Sequence, residues 1–216
     1  MPCEEEQRNV TIVGVGAGRL ILSEIADCSY EFGGNKLPMV LCDTHLGGIA
    51  HAKLGTKGIL IGKKIFEGRG SFGEIEKCTM AALKERKNIG DAIAGSRIVI
   101  VATCLGGGTG SGIAPVVCDI AGKQGAFVIA VATYPTLSLP KTWKKTRVRA
   151  EKGLEGLKNY ADVLMIVDNE KIRRRLPKNS DWGDLCTICN RIAARIVWDA
   201  CQGKGLMELF EQKTQL

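Results

Sequence analysis

The sequence lacks any stretch approaching the ~20 consecutive apolar residues of a membrane-spanning helix. Its opening residues, Met1-Pro2-Cys3-Glu4-Glu5-Glu6, are acidic where an export signal is basic and then apolar. These two absences argue against a membrane-spanning or exported protein and for a cytoplasmic one. Aromatic residues make up 5% of the chain, and within the basic runs only Trp143 interleaves with the charges, so recognition of nucleic acid by base stacking is not indicated. No G-x-x-x-x-G-K-[ST] phosphate loop occurs, and Asn35-Lys36-Leu37-Pro38 has Pro where an N-K-x-D base reader needs Asp. Zinc is not expected either. Cys186-x-x-Cys189 has no second C-x-x-C or H-x-x-x-H beside it, and a zinc site needs about four ligands; the two thiols read as core residues of a helix. Internal repeats, low-complexity segments and linker-like shifts in composition are missing too. The chain therefore reads as one domain over residues 9–205, between an acidic tail, 1–8, and a short tail, 206–216.

What is present fits a globular fold. The 216 residues are 45% hydrophobic, enough for a sizeable core. Nine cysteines, an odd number at irregular spacing, read as reduced thiols and not as a disulfide framework. Thirty Lys and Arg against 23 Asp and Glu give a net charge of +7, which favours anionic partners. Part of that excess lies in two runs: Lys141, Lys144, Lys145, Arg147 and Arg149, then Lys171, Arg173, Arg174 and Arg175. Both runs read as solvated faces.

Short Val- and Ile-rich runs at 10–13, 39–42, 98–102, 126–133 and 163–167, with a shorter one at 59–61, are bounded by Gly, Asp or Pro. They predict buried strands of a mostly parallel sheet. Helical spacing lies between them at 74–87, 112–123 and 142–157. The alternation predicts an α/β three-layer sandwich. The last element, about 184–203, carries Leu185, Ile188, Cys189, Ile192, Ile196, Val197 and Ala200 on one stripe before Gly203 and Gly205 stop it.

The most specific motif is Gly106-Gly107-Gly108-Thr109-Gly110-Ser111-Gly112, directly after a strand and directly before a helical segment. Five glycines there serve packing poorly. They suit a loop whose N–H groups reach phosphate oxygens, helped by the dipole of the following helix. Thr109 and Ser111 add hydroxyl donors. Bulky residues at Gly108 or Gly110 are expected to block the phosphates while leaving the fold intact, and Pro115 falls in the first turn of the helix, where proline is tolerated. Gly14-x-Gly16-x-Gly18, with Asp43 after the second strand, gives a weaker dinucleotide-type signal in which the third glycine comes one residue early. A dinucleotide-dependent oxidoreductase is thus an alternative reading.

The 106–112 loop is similar to the glycine-rich phosphate loop of the FtsZ/tubulin superfamily, and the chain resembles the nucleotide domain of that superfamily, closer to FtsZ. The family order continues in Gly14-Val15-Gly16-Ala17-Gly18, with Arg19 in place of Asn, and in Asp43-Thr44-His45, with Asp43 in place of Asn. It continues further in Gly68-Arg69-Gly70-Ser71, Thr133-Tyr134-Pro135, and Asp168-Asn169-Glu170-Lys171. The resemblance implies GTP or GDP as ligand, with Mg²⁺ accompanying the triphosphate. It implies a site made by Gly16, Ala17, Gly18, Arg19, Asp43, Gly70, Ser71, Gly106, Gly107, Gly108, Thr109, Gly110, Ser111, Thr133, Pro135, Asn169 and Asn190, with His45 nearby.

The chain also departs from the family pattern. Asn190 and Ala194 take the places of the base-stacking aromatic and the guanine-reading Asp, which implies weaker base selectivity. The Glu and Arg after the ribose loop have no counterpart, since an insertion is expected within 141–149. After Gly205 no residue matches the N-x-D-x-x-D catalytic loop that family members supply to a neighbouring subunit. The resemblance therefore implies a nucleotide-binding protein with weak or no hydrolysis alone. Its partners would be itself or a full-length FtsZ-like protein, and an alternative is a non-catalytic module that modulates filaments of such a relative.

Overall fold

The computed structural model describes residues 10–28, 37–53, 55–136 and 144–202; both tails and Trp143 lie outside the described residues. Six strands form one sheet: β1 (Val10–Val15), β2 (Met39–Asp43), β3 (Thr56–Leu60), β4 (Ile98–Cys104), β5 (Phe127–Tyr134) and β6 (Val163–Asp168). Their order is β3-β2-β1-β4-β5-β6, and every pairing is parallel. The central strands are largely apolar because both of their faces are covered. In β4, Val99 and Val101 enter one core cluster, and Ile100 and Ala102 enter the other. Alternate side chains thus feed two separate helical layers.

On the first face lie α4 (Ile75–Lys84), α5 (Arg86–Ile93), α6 (Gly108–Lys123) and α7 (Lys144–Tyr160). On the second lie α1 (Arg19–Cys28) and α9 (Trp182–Cys201). Three short α-helices, α2 (Leu46–Ala50), α3 (Lys63–Phe66) and α8 (Asn169–Arg173), and a 3-10 turn at Gly16–Gly18 complete the described elements. The expected stripe on α9 packs as a core face, with Leu185, Cys189 and Val197 each at most 2% exposed. The predicted helix 74–87 is two helices, broken at Glu85, whose ψ of 12° leaves the helical range.

The larger difference is at the glycine motif. The helix begins at Gly108 and not at Gly112, so most of the motif is its first turn. Pro115 accordingly lies inside α6, where its missing N–H leaves the Ser111 carbonyl without an i→i+4 donor. Its ring packs on α7: a Cβ on Gly156 would stand 2.8 Å from Pro115 Cγ.

Candidate functional site

The chain runs from β1 leftward to β2 and β3, then returns to lay β4, β5 and β6 on the other side of β1. In open α/β sheets, crevices form where the strand order reverses, outside the carboxyl ends of the strands. A cleft of about 660 Å³ lies there. Gly16 and Ala17 reach it from the end of β1, Asp43 from β2, and Cys104 with residues 105–110 from β4. Thr133 and Pro135 come from β5, Asn169 from the end of β6 and Asn190 from α9.

Thirteen of the seventeen residues of the implied site line this one cleft. Four do not. Gly18 packs on β4, where a Cβ would lie 2.1 Å from the Ala102 carbonyl oxygen. Arg19 is exposed and lies beside Asp43 over Gly48. Gly70 turns in the left-handed region at φ 92° and donates its N–H to the Thr44 carbonyl at 3.2 Å. Ser111 is buried, and its Oγ accepts the Gly106 N–H at 3.0 Å. That hydroxyl shapes the turn instead of facing the cleft. His45 does not line the cleft either; its Nδ1 accepts the Gly48 N–H at the start of α2.

The glycines divide by what surrounds them. A Cβ on Gly110 would meet the Cys104 carbonyl oxygen at 2.3 Å, and one on Gly108 would meet the 73–74 backbone at 2.7 Å. Those two glycines let α6 start close against β4 and the neighbouring loop, so the expectation that they could be enlarged without harm to the fold does not hold. Gly107 has nothing within 4 Å of its Cβ position. It is the position of the turn that is open to the cleft.

Several lining residues carried no signal of their own. Arg149 sits in the second turn of α7, in a run that reads as a solvated face. That reading fits its neighbours Lys144, Lys145 and Arg147, which are exposed. Arg149 instead donates from Nε to the Gly106 carbonyl at 2.8 Å and from Nη2 to Thr146 Oγ1 at 3.3 Å. Helical periodicity turns Thr146 and Arg149, three residues apart, to one side. Arg149 and Asp43 are the only charged side chains among the described residues that line the cleft.

Burial raises the pKa of Asp43, against backbone hydrogen bonds from His45 and Thr44 and the charge of Arg19. Cys104, Cys186 and Cys189 also line the cleft, so the C-x-x-C pair faces it as well as the core. Burial pushes Cys104 up to about 11 and Cys189 to about 12, which keeps these thiols neutral. No cluster of three or more metal-ligating side chains occurs among the described residues.

Two buried carboxamides complete the wall. Among the described residues, Asn169 Oδ1 has no hydrogen-bond partner, and the Oδ1 of Asn190 accepts from the Cys104 thiol at 4.0 Å. Ala194 is 5% exposed within the core of the second face and does not reach the cleft. Asn179-Ser180-Asp181-Trp182-Gly183-Asp184 carries N-x-D-x-x-D spacing across the start of α9. Its acids form a capping box, each carboxylate accepting the other residue's N–H at 2.8 and 3.0 Å.

The model of the Tubulin/FtsZ family GTPase domain matches residues 9–177. The chain is 36% identical over 169 residues to Cell division protein FtsZ 1 of Halobacterium salinarum, covering 78% of this chain and 41% of that protein. It is 33% identical over 207 residues to Cell division protein FtsZ 1 of Methanocaldococcus jannaschii, covering 95% and 53% respectively. Among solved structures, the empty FtsZ dimer of M. jannaschii superimposes with a TM-score of 0.80 at 30% identity, over 92% of this chain and 56% of that one. The chain thus spans about half the length of the relatives it matches.

Proposed function

Because the chain belongs to the Tubulin/FtsZ family, we propose that the cleft binds a purine nucleotide, GTP or GDP, with Mg²⁺ beside the triphosphate. The observation that carries this reading is the glycine turn, open at Gly107 and leading directly into the N-terminus of α6. Its N–H groups and the helix dipole suit phosphate oxygens. The unpartnered, buried Asn169 Oδ1 supports a base at the other end, since such an acceptor is costly unless a ligand donor reaches it. Bound magnesium would offset phosphate charge, held mainly by phosphate and water oxygens. Among the described lining residues, Asp43 is the acid able to accept from that water shell.

Hydrolysis requires an acid or amide that positions the attacking water. Asp43 is the one acid among the described residues that line the cleft, and Asp181 and Asp184 are engaged with each other. We therefore read this chain as binding nucleotide and hydrolysing it only when a neighbouring subunit supplies the missing group. That neighbour would be a full-length FtsZ-like protein in a cell-division filament. Extraction of the purified protein, with chromatography of what it releases, tests the ligand. Guanine nucleotide in the extract is expected, and a protein that neither carries nor binds any nucleotide would refute the reading.

A further inference from the structure

We propose that Arg149 is the residue that distinguishes a triphosphate from a diphosphate in this cleft; the proposal rests on the nucleotide reading above. The cleft is poor in positive charge for an anionic ligand: Arg149 is the only cation among its described lining residues. The turn at Gly107 and the start of α6 present neutral N–H groups, which suffice to seat part of a phosphate chain. Each added phosphate brings further negative charge, and among the described lining side chains Arg149 is the cation that can answer it, beside any bound magnesium.

Its position joins the two loops that flank such a chain. Nε donates to the Gly106 carbonyl at 2.8 Å, fixing the guanidinium beside the glycine turn. Nη1 stands 2.6 Å from where a Cβ on Gly73 would lie, so the loop that brings Ser71 and Gly73 to the cleft packs on the same group. A guanidinium carries five N–H donors, and two of them are engaged, by Gly106 and Thr146. The remainder are available to a planar, bidentate acceptor such as a phosphate. The residue is carried by a 17-residue helix, α7, which holds it more firmly than a loop would.

The test is calorimetric titration of the 216-residue chain and its Arg149→Lys, Arg149→Gln and Arg149→Ala variants. The ligands are GTP, GDP, inorganic tripolyphosphate and pyrophosphate. Charge-assisted hydrogen bonds of this kind correspond to about 10- to 100-fold in affinity. Arg149→Ala and Arg149→Gln should lose about that much more for triphosphate than for diphosphate, with Arg149→Lys between them and wild type. Melting without ligand separates a structural role, because lost tethering of Gly106 would lower stability without moving the affinity ratio.

An unchanged ratio in variants that still bind GTP overturns the proposal and leaves the nucleotide reading standing. A wild-type protein that binds tripolyphosphate through Arg149 but binds no nucleotide retires the nucleotide reading alone. Binding of neither retires both.

Discussion

The hydroxyls of Thr44 and Thr109, 65 residues apart in sequence, lie 2.8 Å apart. Thr109 Oγ1 donates in turn to Ser71 Oγ at 3.0 Å. One short hydroxyl chain therefore ties together the segments that follow β2, precede α4 and open α6. Thr109→Val keeps the shape and removes the hydroxyl, leaving buried Thr44 without this partner. Unmet buried polar groups cost about 1–3 kcal/mol, and chemical denaturation of the variant should read a loss in that range.

Gly107 and Gly110 should respond oppositely to enlargement. Gly107 has φ −88° and ψ 164°, open to any residue, so Gly107→Val is expected to keep the apo protein's melting temperature and abolish nucleotide binding. Gly110→Val would drive carbon into the Cys104 carbonyl, and overpacking costs about 1–3 kcal/mol or more. A Gly110 variant that melts like wild type would show that α6 can shift away from β4.

Base selectivity should be adjustable at Asn190 and not at Ala194. Asn190 lines the cleft, and Asn190→Asp would give guanine N1–H and N2–H an ionised acceptor. Preference for GTP over ATP should then rise by about 5- to 150-fold, the equivalent of about 1–3 kcal/mol. Ala194→Asp would place a carboxylate in the apolar core and should destabilise the fold without improving selectivity. Parallel GTP and ATP titrations with thermal melts decide both.

Asp43 makes a pH-dependent prediction. Its folded pKa lies above the ordinary 3.8 because burial disfavours the charge. The folded state thus holds the proton more tightly than the unfolded chain does. Stability contributed by this group is present below 3.8 and is lost as pH rises through the folded value. Asp43→Asn should therefore be more stable than wild type at pH 7, and the gain should vanish in acid. The same variant should bind nucleotide with less dependence on Mg²⁺. A stabilisation that is independent of pH would show that burial of this carboxylate is not its source.

Phosphate release by the purified chain should be slow at every protein concentration, with no rise in light scattering on addition of GTP. Mixing with a full-length FtsZ-like protein should accelerate release at the mixed junction. Turnover by this chain alone that climbs steeply with concentration, accompanied by polymer, would show that its copies supply the catalytic group to one another and overturn the expectation that this chain lacks it.

The amino-acid sequence by itself determined the sheet. Doubly buried parallel strands must be apolar on both faces, so 98–102 and 126–133 announce themselves without reference to the rest of the chain. It also determined that a glycine-rich turn follows the fourth strand, because composition and order are local properties. Only the tertiary structure decided what each residue of that turn does. Gly110 is small because a Cβ there would lie 2.3 Å from the Cys104 carbonyl oxygen, whereas Gly107 faces open space. Arg149 reads as one more solvated cation until α7 is packed beside the turn, which brings its guanidinium to Gly106, 43 residues away in sequence. Ser111 and the thiols of Cys186 and Cys189 were redirected in the same way. Propensity and periodicity set which way a side chain points from its own element. What it meets depends on the distance between elements, and that is fixed only when the whole sheet and both helical layers close around it.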